Sequence, residues 1–117
     1  MVALEVLSLA VNRVSTLRDV ENCKNLKELY MRKNNLSNIA EVPTYLRGLF
    51  NLRKLSLYEN PIADLPRYRQ YVVKALPQIE QLDNVEVTHE ERMKVAHLSL
   101  EELCSDKLSG AAGLGGY

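Results

Sequence analysis

The sequence predicts an α/β solenoid: a short parallel sheet on the concave side, turns and short helices on the convex side, and a helical C-terminal cap. Three observations carry this expectation. The pattern L-x-x-L-x-L-x-x-N-x-L occurs three times, as Leu4, Leu7, Leu9, Asn12, Val14, then Leu26, Leu29, Met31, Asn34, Leu36, then Leu52, Leu55, Leu57, Asn60, Ile62. Successive copies begin 22 and 26 residues apart, at Leu4, Leu26 and Leu52. After the third copy the pattern changes to helical spacing, with a degenerate fourth copy at Ile79 and Leu82.

A pattern of this form and period is the leucine-rich-repeat signature. Each copy makes one coil. Within the second, Leu29 and Met31 alternate with Glu28, Tyr30 and Arg32, the period-two alternation of a short strand with one buried face. One coil cannot bury that face alone, so stability comes from stacking. Asn12, Asn34 and Asn60 stand where the chain leaves each strand; their amides can bond backbone groups the turn leaves unpaired, forming a ladder.

The convex side follows. Asp19 to Cys23 is expected to make a helical turn with Val20 and Cys23 facing in. The longer second period adds residues between Ala40 and Phe50, and Thr44 to Leu49 reads as a helical turn with Leu46 and Leu49 inward. Residues 1–65 are therefore assigned to the repeats.

Residues 66–108 are assigned to the cap. Pro66 is expected to open a helix that Pro77 ends, with Tyr68, Tyr71, Val72, Ala75 and Leu76 packed on the last coil. Ile79 and Leu82 should form a final strand. Thr88 and Glu91 stand in capping-box relation at the start of a second helix, whose expected inner stripe is Met93, Ala96, Leu100 and Leu103. Residues 109–117 hold four of the five glycines and read as a flexible tail. No cap precedes Leu4, which reads as already in a strand. That predicts either a missing upstream repeat or self-association through the N-terminal edge.

Composition narrows the function classes. Fifteen basic and fifteen acidic residues leave a net charge of zero, so no bulk field draws the chain to nucleic acid or a membrane. No stretch is long and apolar enough to span a bilayer, and no signal peptide is read ahead of the first repeat. Cys23 and Cys104 read as reduced and at least partly buried, as suits a cytoplasmic protein. His89 and His97 have no Cys or carboxylate at metal-ligand spacing, and no Gly-rich phosphate loop precedes a helix. The expectation is a non-enzymatic chain without cofactor or metal.

The best binding candidate is the concave strand face. Its outward positions are Val6, Ser8 and Ala10; Glu28, Tyr30 and Arg32; Lys54, Ser56 and Tyr58; and Gln81 and Asp83. Glu28, Tyr30, Arg32, Lys54, Ser56 and Tyr58 form the predicted protein-binding set, because tyrosine and arginine are the types enriched in interface hot spots. Arg32, Lys33, Arg53 and Lys54 also cluster, but with Glu28 and Glu59 among them they read as a salt-bridged surface. Arg67-Tyr68-Arg69 reads as a helix start plus a core tyrosine.

The run Asn60-Pro61, Tyr68-Arg69, Val72, Leu76-Pro77, Ile79 and Leu82-Asp83 resembles the C-terminal cap of the short intracellular leucine-rich-repeat proteins, a group with Sds22-type, spliceosomal U2 A-prime-type and axonemal or ciliary members. Further motifs narrow the resemblance: Leu4-Glu5-Val6, Val11-Asn12, Ser15-Thr16-Leu17, Glu28-Leu29-Tyr30, Tyr45-Leu46-Arg47-Gly48-Leu49, Glu59-Asn60-Pro61 and Leu82-Asp83-Asn84 before Val87-Thr88. Over about residues 4 to 92 these are similar to the family of cilia- and flagella-associated protein 410. The resemblance implies a protein-interaction scaffold that supports cilium assembly at the basal body, axoneme or cytoskeleton, with ciliary protein partners. That family has a further repeat upstream and a C-terminal helical oligomerisation module, neither of which matches residues here. The alternatives are a ribonucleoprotein adaptor of the U2 A-prime type and a phosphatase regulatory subunit of the Sds22 type.

Overall fold

The structure, a computed structural model, describes residues 4–103. The expectations for Cys104 and for the glycine tail fall outside those residues.

Three strands, β1 (Val6–Ser8), β2 (Glu28–Tyr30) and β3 (Lys54–Ser56), come one from each repeat. They pair in parallel with Leu7 opposite Leu29 and Leu29 opposite Leu55, so equivalent positions of the pattern stack directly. β4 (Gln81–Leu82) continues the parallel sheet, placing Leu82 beside Leu55. The stacked leucines follow from the repeat itself: a one-residue slip would send each to the polar face.

The three repeat strands end the same way. Val11, Lys33 and Glu59 have φ of 59°, 59° and 63°, and each precedes an asparagine. This left-handed residue swings the chain out of the sheet and brings the next side chain inward. Asn34 and Asn60 are buried as a result. Asn60 Nδ2 donates to the carbonyls of Met31 and Leu57, both at 2.9 Å, and its Oδ1 accepts from the N–H groups of Asn34 and Leu36, both at 3.1 Å. Asn34 repeats this one coil earlier, donating to Leu9 and Met31 and accepting from Val14 N–H at 3.0 Å. The asparagine ladder is therefore present in the predicted form.

The hydrophobic core runs along this stack. Leu26, Leu29, Met31, Leu52, Leu55 and Leu57 are buried, as are Val20 and Cys23 of the first convex turn (Arg18–Asn22). The second convex turn is wide and spans Val42–Leu46, starting two residues and ending three residues earlier than expected, with Leu46 inward and Leu49 buried just beyond it. Complete burial of one such leucine stabilises the fold by roughly 1.5–3 kcal/mol. The first coil is different. Leu4 is exposed and precedes the strand rather than lying in it, and Leu7, Leu9 and Val14 are only partly buried, because β1 has no neighbouring strand on its outer side among the described residues.

The cap contains α1 (Tyr68–Ala75), with Tyr68, Tyr71, Val72 and Ala75 buried and Leu76 just beyond its end. The helix begins two residues after Pro66. Ile79 is buried but lies ahead of β4 rather than within it. A strand the sequence reading missed, β5 (Val85–Glu86), pairs antiparallel with β4. Asp83 and Asn84 both have positive φ, at 53° and 69°, the geometry of a tight two-residue hairpin turn.

α2 (His89–Val95) starts where expected: Thr88 Oγ1 accepts from Glu91 N–H at 3.1 Å. Its inner stripe is corrected. Met93 is 61% exposed and Ala96 is also exposed; Val95 and Leu103 are buried, with Leu98 and Leu100 partly so. The physical reason is a break. α2 stops at Val95, and the chain re-enters a helix only at residue 100, after Ser99 and Glu102 exchange capping bonds at 2.9 and 3.1 Å. A spacing of three and four residues describes one face only within an unbroken helix.

Candidate protein-recognition face

Side chains alternate along each strand, so Leu7, Leu29 and Leu55 point to the core and their neighbours point the other way. Register sets Glu28 beside Lys54 and Lys54 beside Gln81, and sets Tyr30 beside Ser56. The predicted set is thus brought together on one face, with unequal exposure. Lys54 is exposed, whereas Glu28, Tyr30, Arg32 and Tyr58 are partly so. Ser56, expected to face outward like the rest, is only 4% exposed and forms part of a recess floor rather than an open surface.

Several of these groups hold one another. Tyr30 Oη donates a short hydrogen bond to Glu28 Oε1. That bond, followed by partial burial, raises the Tyr30 hydroxyl above its ordinary pKa. Arg32 Nη1 lies 2.8 Å from Glu59 Oε1, and its guanidinium stacks 5.8 Å from the centre of the Tyr58 ring. The guanidinium is thereby pinned across two coils. Arg53 reaches Glu80 at 3.6 Å. The two arginines of the basic cluster are therefore salt-bridged, whereas Lys33 and Lys54 have no ion pair among the described residues, and Tyr30, Arg32 and Tyr58 present preorganised planar groups.

The Arg67-Tyr68-Arg69 run belongs to the cap. Tyr68 is buried and donates to Asp83 Oδ2 at 2.8 Å; burial first, then the Asp83 carboxylate, push its hydroxyl far above the usual range. Arg69 binds Glu91 through two bonds of 2.5 and 3.0 Å and also donates to the carbonyls of Leu82 and Glu86. It ties α1 to the hairpin and to α2. Arg92 donates to the carbonyls of Val73, Leu76 and Ile79 at the end of α1, and desolvation there lowers its pKa. These arginines hold the cap in place.

Gln81 and Asn84 join Tyr30, Lys54 and Ser56 around a single recess of about 230 Å³. Gln81 is legible in the sequence as an outward position but not as part of the site, and Asn84 only as part of the Leu82-Asp83-Asn84 motif. The signal available was the Asp83-Asn84 pair, which permits the hairpin that brings Asn84 back over the sheet. Among the described residues, no group of three or more His, Cys, Asp or Glu could hold a metal ion, and no helix is long and apolar enough to cross a membrane.

Known proteins resemble the chain in sequence and fold. Cilia- and flagella-associated protein 410 from Homo sapiens is 47% identical over 93 residues, which are 78% of this chain and 36% of that protein. U2 small nuclear ribonucleoprotein A' from Aspergillus fumigatus is 34% identical over 97 residues, 81% of this chain and 38% of the other. A chain in the crystal structure of the Drosophila melanogaster SNF/U2A' complex superposes with a TM-score of 0.76 at 25% identity, over 88% of this chain and 62% of that one. The chain thus spans little more than a third of the curated relatives' lengths. The leucine-rich-repeat family model matches residues 1–104, and with the stacked strands and the asparagine ladder it establishes that this chain belongs to the leucine-rich-repeat family.

Proposed function

We propose that this chain is a non-enzymatic protein-interaction scaffold that supports cilium assembly, acting at the basal body or axoneme through its concave face. The observation that carries the ciliary setting is the 47% identity with cilia- and flagella-associated protein 410 across 78% of the chain. Support for the surface comes from Tyr30, Arg32 and Tyr58. Repeat solenoids generally bind partners on the concave side, and these residue types dominate interface energetics. Arg32, held by Glu59 and Tyr58, would lose little side-chain freedom on binding.

A second reading, a ribonucleoprotein adaptor, is favoured by the fold match to the SNF/U2A' complex. One experiment separates the two. Proximity labelling in ciliated cells would compare the chain with its Tyr30→Ala/Arg32→Ala/Tyr58→Ala variant, after circular dichroism has established that the variant folds. Basal-body or axonemal proteins, lost with the variant, are the expected outcome. Spliceosomal proteins in their place would favour the adaptor. A labelling profile untouched by the substitutions would overturn the choice of surface.

A further inference from the structure

The middle of the concave face holds polar side chains with nothing to bind. The recess of about 230 Å³ is lined by Tyr30, Lys54, Leu55, Ser56, Gln81 and Asn84. Lys54 is its charged member. Among the described residues the Lys54 ammonium has no ion pair or hydrogen bond, and of the two carboxylates that line the adjoining recess with it Glu86 is likewise uncommitted while Glu80 is held. Glu28 is taken by the Tyr30 hydroxyl, Glu59 by Arg32 and Glu80 by Arg53. Asp83, in the turn beside the recess, is taken by the N–H groups of Leu57 and Tyr58 and by the Tyr68 hydroxyl.

Ser56 is the second, independent observation. The residue is 96% buried, with only 4% of its surface exposed, yet its hydroxyl has no partner among the described residues. No fully enclosed side-chain polar atom in the described residues lacks a partner, so the Ser56 Oγ must open into the recess. The side-chain amides of Gln81 and Asn84 are likewise uncommitted among the described residues. Lysine brings three donors, each amide two and the hydroxyl one, and of these groups only lysine carries a charge. Tyr30 adds an aromatic wall, its own proton being committed to Glu28.

We propose that this recess binds a side-chain carboxylate, Asp or Glu, of a protein partner, with Lys54 as counter-charge and Ser56, Gln81 and Asn84 as neutral donors. The inference rests on the concave-face reading and specifies what that face recognises. Charge selects a carboxylate over a phosphate group. One ammonium balances one negative charge, whereas a dianion or a nucleic-acid backbone would leave further charge beside Glu28, Glu80 and Glu86 without a compensating field from a chain of zero net charge. The donors sit on strands β3 and β4 and their turn, so the site is preorganised. A second recess of about 410 Å³ shares Lys54 and Gln81 and continues to Glu86 and Val87, giving a partner segment room to run across the sheet edge.

The test is an amide chemical-shift titration of the whole chain with a blocked glutamate–glycine peptide, its glutamine counterpart and inorganic phosphate. The expected result is saturable shifts at Lys54, Ser56 and Gln81 and at the Gln81 and Asn84 side-chain amides with the glutamate peptide. The glutamine peptide should be weaker by about tenfold or more. Lys54→Met, which removes an exposed group with no bond in the fold, should abolish the shifts, and Ser56→Ala should weaken them. Absent shifts, equal shifts with glutamine, persistence in Lys54→Met, or saturation by phosphate alone would each overturn the carboxylate assignment. Partner capture lost in the Tyr30/Arg32/Tyr58 variant but intact in Lys54→Met would overturn the recess while leaving the concave face standing.

Discussion

The hydroxyl of Tyr68, from the first turn of α1, donates to Asp83 Oδ2 at 2.8 Å, while Asp83 Oδ1 accepts Leu57 N–H at 2.7 Å. In the earlier coils the equivalent N–H finds a strand carbonyl: Leu9 bonds Tyr30 and Met31 bonds Ser56, both at 2.8 Å. Asp83 has turned left-handed into the hairpin, so its side chain replaces its own carbonyl. Tyr68 holds that side chain in position and so joins the cap to the last repeat.

Tyr68→Phe should therefore cost about 1.5–3 kcal/mol at neutral pH, the range for a hydrogen bond to a charged group. The pH dependence has a definite sign. The folded Tyr68 hydroxyl keeps its proton well above the unfolded value of about 10. Between those values the unfolded chain binds fewer protons than the folded one, so stability falls as pH rises, by up to about 1.4 kcal/mol per pH unit. Urea unfolding above pH ~10 should show a shallower fall for Tyr68→Phe than for the parent; parallel curves would discount the buried hydroxyl.

Asn60→Ala should be among the costliest polar substitutions. It removes the partners of two N–H and two C=O groups, each worth about 1–3 kcal/mol when buried and unpaired. Asn12 is exposed, and among the described residues its side chain bonds only the carbonyls of Leu9 and Ala10, so Asn12→Ala should cost under about 1 kcal/mol. Equal costs by denaturant unfolding would refute a ladder whose strength grows inward.

Leu29→Ala should cost roughly 2–5 kcal/mol as a fully buried deletion. The same change at Leu7, which shares its register but is only partly buried, should cost less. Hydrogen exchange offers a separate check: the Leu9 amide should exchange faster than that of Met31 although both bond a neighbouring strand. The reverse order would mean that the first coil is as firmly held as the second.

Val11 is a β-branched residue at φ 59°, with 57% of its surface exposed. The left-handed conformation costs an ordinary L-residue about 1–2 kcal/mol, and asparagine tolerates it better. Val11→Asn should raise stability by about 1 kcal/mol, because little burial is lost. A melting temperature unchanged or lowered would mean that the valine side chain supports the first coil more than its exposure suggests.

The repeat pattern was legible because its cause is local and recurs: the same leucine, leucine and asparagine at one register can be satisfied only by stacking, as Leu29 on Leu55 shows. The start of α2 was legible for the same reason, since Thr88 and Glu91 are three residues apart in the chain. The helix break after Val95 escaped notice because Ser99 and Glu102 form a second capping pair inside an apolar spacing that reads as continuous. The hairpin β4–β5 escaped because it lies outside the repeat pattern: Asn84 follows Leu82 by two residues, whereas Asn12, Asn34 and Asn60 follow Leu7, Leu29 and Leu55 by five.

By itself, then, the sequence determined the coil, its register, the asparagine ladder and which side chains alternate with the core leucines of the strands, since each depends on spacing along one chain. Only the tertiary structure decided which of those side chains are spent and which are available. Glu28, Glu59 and Asp83 meet Tyr30, Arg32 and Tyr68, while Lys54, Ser56, Gln81 and Asn84 are left facing one recess. Two of those three pairings join residues far apart in the chain, 15 residues for Tyr68 and Asp83 and 27 for Arg32 and Glu59. A hydrogen bond is settled by distance and angle in space, which spacing along the chain does not set.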